Sequence, residues 1–217
     1  MHQTESFKRC LIAIALAMAM LTWSTAGDAQ LGGLLPPPTT STASTVVGDA
    51  SAARVSVLGI LGTATTTAIA DTGTLSGVND ARDASMVTGS VPSTLSAETL
   101  SAATISWADQ VDSEASLANL NMTVAGVGIT ADSVVAQASQ VLGAAGSGSS
   151  AFSNLSINGT PINVTGAPNQ AIWIPGGQVI INEQTVSSTG TAVVNAIHVA
   201  VTGVADVVIA SATAGIS

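Results

Sequence analysis

Beyond Ala50 the chain is a succession of short apolar runs, rich in Val, Ile and Thr, each cut off by Gly, Asn, Asp or Ser. Branched Cβ atoms crowd a helix interior and suit a pleated surface. Runs this short between turn formers have the length of strands rather than helices. The expected class is therefore all-β, a single β-sandwich-like domain of antiparallel strands over residues 50–217, with a β-solenoid-like stack as the alternative.

The clearest strands lie near the C-terminal end. Ala171-Ile172-Trp173-Ile174 and Gln178-Val179-Ile180-Ile181 flank Pro175-Gly176-Gly177. Proline presets the first turn dihedral and glycine supplies positive φ, so the segment reads as a hairpin. Strict alternation along Val193–Val201 puts Val193, Asn195, Ile197, Val199 and Val201 on one face. Val194, Ala196, His198 and Ala200 fall on the other. Residues 206–212 form a last strand, and two short extended pieces surround the turn dipeptide Asn158-Gly159. Gly146-Ser147-Gly148-Ser149 reads as a flexible linker.

The middle of the chain is harder. LSAETLSA (residues 95–102) and ITADSVVA (residues 129–136) match by residue class at nearly every position, although two copies fall short of a solenoid. Residues 96–120 also carry helix formers. Thr104-Ile105-Ser106-Trp107 and residues 120–124 nevertheless alternate like strands, and β is the preferred reading. Slim Ala, Ser, Thr and Val faces let sheets approach closely. Phe152, Trp107 and Trp173 are expected to fill the widest part of the core or anchor a sheet edge.

The N-terminus reads as an export signal. Lys8 and Arg9 precede an uncharged apolar run from Cys10 to Leu21, and small residues follow, with Ala29 and Gln30 flanking the expected cleavage. Twelve residues are too few to span a bilayer, so residues 1–29 are taken as a signal peptide, without a transmembrane helix in the mature chain. Residues 30–49, with Pro36-Pro37-Pro38 and many Ser and Thr, read as a disordered spacer. Removing 29 of 217 residues leaves 188 with no Cys, no Lys and one His, and the net charge stays at -9. Disulfides and thiolate metal sites are thereby excluded, and an acidic surface repels nucleic acid and anionic membranes.

Candidate chemistry is thin. His198, with Asp206 and a serine, is the one hydrolase constellation, but there is no G-x-S-x-G elbow, and a structural role for His198 is preferred. A ligand role for Glu183 with His198 is the other use of this side chain. Asp80 and Asp83, and separately Asp109, Asp112 and Glu114, are Ca²⁺ candidates as oxygen-rich groups, though neither group follows an EF-hand pattern. Ca²⁺ is the one cofactor considered; none is expected otherwise. A glycosidase would need paired carboxylates and aromatic platforms that this chain lacks. One threonine run, residues 63–67, is not an ice-binding ladder, and Asn154, Asn158 and Asn163 each open an N-x-S/T sequon.

The run NLSINGTPINVTGAPNQAIWIPGGQVIINEQ, with VVNAIHV and DVVIASATAGI, resembles the choice-of-anchor P family of secreted bacterial surface proteins. The matching elements are Asn158-Gly159, Pro168-Asn169, Pro175-Gly176-Gly177, Asn182-Glu183-Gln184, Asn195-Ala196 with His198, and the final strand. The resemblance implies a β-rich extracytoplasmic domain with no established enzymatic activity, in a family named for attaching to the envelope by differing C-terminal signals. This chain departs from that pattern, ending in SATAGIS without an LPxTG-type motif, hydrophobic tail or basic cluster, so free secretion or non-covalent attachment is expected. Asn182, Glu183, Gln184 and Asn195 are expected to cap neighbouring backbone groups. The functional expectation is a non-enzymatic secreted or cell-surface protein, structural or adhesive. It would act by self-association or by binding an extracellular matrix or glycan partner, since lysine, a common blocker of edge pairing, is scarce. A carbohydrate- or calcium-binding module is the alternative, and a hydrolase the least favoured.

Overall fold

The computed structural model describes residues 45–58 and 63–217. The expected signal peptide, with Ala29 and Gln30, and residues 30–44 of the expected spacer lie outside them. The described residues form an all-β sandwich of two antiparallel sheets. The stack of a solenoid is absent from the described residues, because every strand pairs antiparallel with its neighbours rather than coiling in parallel rungs.

Strands β1 (Val46–Leu58) and β2 (Ala64–Asp71) form a hairpin in the first sheet. The chain then crosses to the second sheet for a meander of β3 (Ala81–Val91), β4 (Leu95–Ser106), β5 (Gln110–Val124), β6 (Val127–Val141) and β7 (Ser147–Ser153). Two short strands, β8 (Ser156–Ile157) and β9 (Thr160–Pro161), extend the β6 edge. The chain returns through β10 (Gln170–Ile174), β11 (Gly177–Val186), β12 (Ala192–Val201) and β13 (Ala205–Ile216). The first sheet has the order β10-β11-β12-β13-β1-β2; in the second, β3-β4-β5-β6-β8-β9, with β7 also on β6. β13 closes on β1 from Val46 opposite Ile216 to Val57 opposite Ala205, and Thr45 and Ser217 exchange backbone hydrogen bonds at the end of the ladder.

Several boundaries differ from expectation. The spacer ends earlier than residue 49, because β1 begins at Val46, where pairing with β13 supplies the partners that sequence texture cannot reveal. The supposed linker at 146–149 runs into the edge strand β7: Gly148 sits where a Cβ would run into Val194 and the backbone carbonyl of Gln137, so glycine there reflects close approach rather than flexibility. Residues 96–120 are strands β4 and β5, not helix.

The inward faces are built from slim residues. Ala50, Ala212 and Val194 lie side by side across β1, β13 and β12. Opposite them the second sheet presents Ala102, Ala115 and Ala136, all buried. Two faces lined this way pack densely without large rings. Polar links also cross between the sheets: Ser113 Oγ donates to the Thr213 carbonyl at 2.6 Å, and buried Gln140 accepts the Ile216 N–H while donating to the carbonyls of Ala144 and Thr189.

Both sheets share an irregularity that places the candidate site. In the first sheet Asn182, Ala196, Ala210, Ala52 and Ala70 lie in one row across β11, β12, β13, β1 and β2, by the register of their neighbours. On one side of this row the inward residues are Ile181, Ile197, Ile209, Ala53 and Ile69; on the other they include Val194, Ala212 and Ala50. The inside–outside alternation therefore inverts on each strand at the same line. Because all of them slip together, pairing is preserved. Alternate members of the row, Asn182, Ala210 and Ala70, have φ of 53°, 50° and 47°, the left-handed conformation that accompanies bulge-like irregularities. The second sheet shows the same inversion: buried positions 95, 97, 100 and 102 on β4 recur as 115, 117, 120 and 122 on β5 and 129, 131, 134 and 136 on β6, here with register shifts between β4 and β5 around Glu98. The match between LSAETLSA and ITADSVVA coincides with this shared slip.

Candidate functional site

The slip revises the expected faces of β12. Strict alternation separates Asn195 from His198. The inversion at Ala196 instead turns both outward, while Ala196 and Ile197 are both buried. Glu183, opposite Asn195 on β11 and just past the slip at Asn182, also faces outward. The result is a continuous hydrogen-bonded line on the outer surface of the first sheet. Ser211 Oγ donates to Asn195 Oδ1 at 2.8 Å, and Asn195 Nδ2 donates to Glu183 Oε2 at 2.6 Å. His198 Nδ1 lies 3.0 Å from both Glu183 carboxylate oxygens, and His198 Nε2 lies 2.9 Å from Asp206 Oδ2. Asp206 reaches the ring because it sits opposite Ala200, diagonal to His198 on the same face.

A ring with a carboxylate at each nitrogen is best satisfied as the imidazolium, which has two N–H donors. Partial burial works against the charge, but the hydrogen bonds and charges of Asp206 and Glu183 outweigh it and raise the His198 pKa above its usual value. This arrangement favours the protonated ring. It does not present a base to a nucleophile, since both nitrogens are committed and the nearest hydroxyl in the line, Ser211, is separated from the ring by Asn195 and Glu183.

The calcium candidates do not converge. Asp80 accepts the backbone N–H groups of Ser76 and Ala81 and pairs with Arg82 Nε at 3.3 Å. The Ser76 backbone bond is the main reason its pKa lies below the usual carboxylate value. Asp83 projects from the edge strand β3. Asp112 accepts from Gln110 and Glu114 from Gln137, while Asp109 lies in the β4–β5 turn. Among the described residues no group of three or more His, Cys, Asp or Glu side chains is disposed to hold a metal ion. Arg54, held by Asp49 at 2.6 Å and Asp71 at 3.1 Å, and Arg82 are both in ion pairs.

The residues of the C-terminal motif divide by role. Asn158 and Gly159 both have positive φ and turn the chain between Ile157 and its partner Thr160. Pro175 and Gly176, with φ of 77° at Gly176, turn β10 into β11, and Gly177 packs on the backbone of Ala200. Asn169 uses its side chain to bind both the N–H and the carbonyl of Gln184, and Asn182 donates to the Gly166 carbonyl, while Gln184 Nε2 donates to Asn182 Oδ1. Asn182 thus caps backbone as expected. Glu183 and Asn195 instead join the side-chain line through His198, and Gln184 contributes its own backbone.

Of the two places expected for the large rings, Trp173 takes the sheet edge: it lies on the outermost strand β10 and is 80% exposed rather than packed inside, because an edge strand has no neighbour to cover its outer ring. Phe152 is half-buried against the core and lines, with Leu155, Ile162 and Val164, an open cleft of about 320 Å³. Val87, on edge strand β3, is 83% exposed. The signal for Trp173 was its place in a five-residue strand beside a tight turn, which marks an edge hairpin. Among the described residues no helix is long and apolar enough to cross a membrane. The chain matches no protein-family model, no curated protein and no solved structure.

Proposed function

We propose that this chain is a non-enzymatic secreted or cell-surface protein with a structural or adhesive role, working by self-association. The observation that carries the reading is the edge of the first sheet: Gln170–Ile174 is uncharged, ends in a tight turn and holds an exposed indole. Soluble sandwiches blunt such edges with lysine, proline, bulges or covering segments. No lysine occurs beyond Lys8, and both arginines of the described residues are tied to aspartates. The commitment of both His198 nitrogens supports a role without bond-breaking chemistry. The export signal read from residues 1–29 and the resemblance to choice-of-anchor P proteins support a location outside the cytoplasm.

Sedimentation velocity and electron microscopy of the purified protein over a wide concentration range test this reading. Concentration-dependent assembly is expected; a strict monomer that also adheres to nothing removes it. Trp173 favours one second reading, a glycan-binding surface, because an exposed indole face can stack on a sugar ring. Glycan-array binding that disappears in Trp173→Ala, in a protein that stays monomeric, selects that reading.

A further inference from the structure

We infer that the partner at the β10 edge is a second copy of this chain, paired antiparallel about a twofold axis at Ile172; this rests on the self-association reading above and names its interface. Ile174 and Gly177 flank the two-residue turn Pro175-Gly176. In such a hairpin the flanking pair is hydrogen-bonded, and bonded positions recur every second residue. Ile174, Ile172 and Gln170 therefore bond to β11, and the backbone N–H and C=O of Ala171 and Trp173 point to the open side.

Pairing about Ile172 sets Ala171 opposite the partner's Trp173, and Trp173 opposite the partner's Ala171. Every outward backbone group then meets another. The neighbouring registers lose this match. Shifting one way opposes Trp173 to Asn169, whose N–H is already donated to the Asn182 carbonyl at 2.8 Å. Shifting the other way opposes Ala171 to Pro175, which has no N–H to give.

Side chains agree with the same register. On the outer face the largest residue of the strand meets the smallest, so each indole lies over an alanine methyl. On the inner face Ile172, now half-buried at the core margin, meets its own copy and extends the apolar layer across both molecules. Nothing in Gln170–Ile174 carries a charge that a second copy would repel. The pairing joins two six-stranded sheets into one continuous sheet.

The test uses the full chain carrying Cys10→Ser, so that an added cysteine is the only thiol. Opposed residues of a non-hydrogen-bonded antiparallel pair have Cα atoms about 4.5 Å apart, within disulfide range. Ile172→Cys is expected to oxidise to a covalent dimer, whereas Thr66→Cys on edge strand β2 stays monomeric on a non-reducing gel. By sedimentation velocity, Ala171→Trp and Trp173→Lys are each expected to weaken the dimer by at least about thirtyfold. The exchange Ala171→Trp with Trp173→Ala restores a large residue opposite a small one and is expected to recover most of the association. Assembly that persists in Trp173→Lys, with no cross-link through Ile172→Cys, overturns this interface while leaving self-association standing. A parent protein that is monomeric up to millimolar concentration overturns the underlying reading itself.

Discussion

The two faces of the first sheet are made by the same strands, yet they follow different rules. Inward, Ile181, Ile197 and Ile209 stand in one row with Ala53, all fully buried, and shape alone decides which residue fits. Outward, the adjoining rows hold Glu183, Asn195, His198 and Arg54, where partners are charges and hydrogen bonds. Neighbours in sequence such as Ile197 and His198 thus belong to different chemistries. The difference teaches that stability resides in the inward face, whereas the outward face and the β10 edge carry the polar lines and the exposed indole that a partner would meet.

The sharpest way to break this contrast is to cut both residues of the pair to alanine. Ile197→Ala leaves a cavity in a packed interior and is expected to cost about 3 kcal/mol, lowering the melting temperature by about 6–12 °C in calorimetry. His198→Ala is expected to cost about 1 kcal/mol or less. Equal losses would end the distinction.

Gly148→Ala comes next. It presses on the inward face from the opposite sheet, where the added methyl meets Val194 and the Gln137 carbonyl. A loss of about 2 kcal/mol is expected in urea titration, while Ser149→Ala, exposed one residue along, is expected to be near neutral.

A smaller effect belongs to pH. The His198 pKa is raised in the folded state, so its stabilising contribution is complete below the ordinary histidine value and is lost as pH rises through the folded value. Its size is up to about 1 kcal/mol, reduced by the exposure of Asp206. Melting curves between pH 5.5 and 9 are expected to show this decline in the parent and not in His198→Gln. A parent profile as flat as the variant's would show that the ring is not charged by its neighbours.

The smallest effect is that of Arg54→Met, expected to cost about 0.5 kcal/mol, and less in high salt, because its pairs with Asp49 and Asp71 are part-exposed. A loss as large as that of Ile197→Ala would mean that the outer surface helps to hold the fold.

Much of the architecture was legible because it rests on local chemistry. Pro175-Gly176 and Asn158-Gly159 announce their turns through dihedral preference, and branched residues mark β10 to β13. The site was legible only in part. His198, Asp206 and Glu183 stood out as the few titratable groups of their region, and plain alternation already brings Asp206 diagonal to His198, but the meeting of Glu183 and Asn195 with His198 depends on the slip at Asn182 and Ala196. That slip breaks the period-2 rule by which faces are assigned, and it is a property of the row of strands rather than of any one. The matching slip of the second sheet underlies the echo between residues 95–102 and 129–136, whose i, i+2, i+5, i+7 spacing belongs to neither an ideal strand nor an ideal helix. For Trp173 the sequence left core and sheet edge both open, and only the strand order, with nothing beyond β10, decides for the edge.

The mutual bonds of Thr45 and Ser217 have a mechanical consequence. Traction between these two residues would peel β1 from β13 one rung at a time, like a zipper, and resistance would be low. Traction between Thr45 and the far strand β10 would load many rungs across the sheet in concert. A molecule held at Thr45 and at β10 would therefore bear tension far better than one pulled between Thr45 and Ser217.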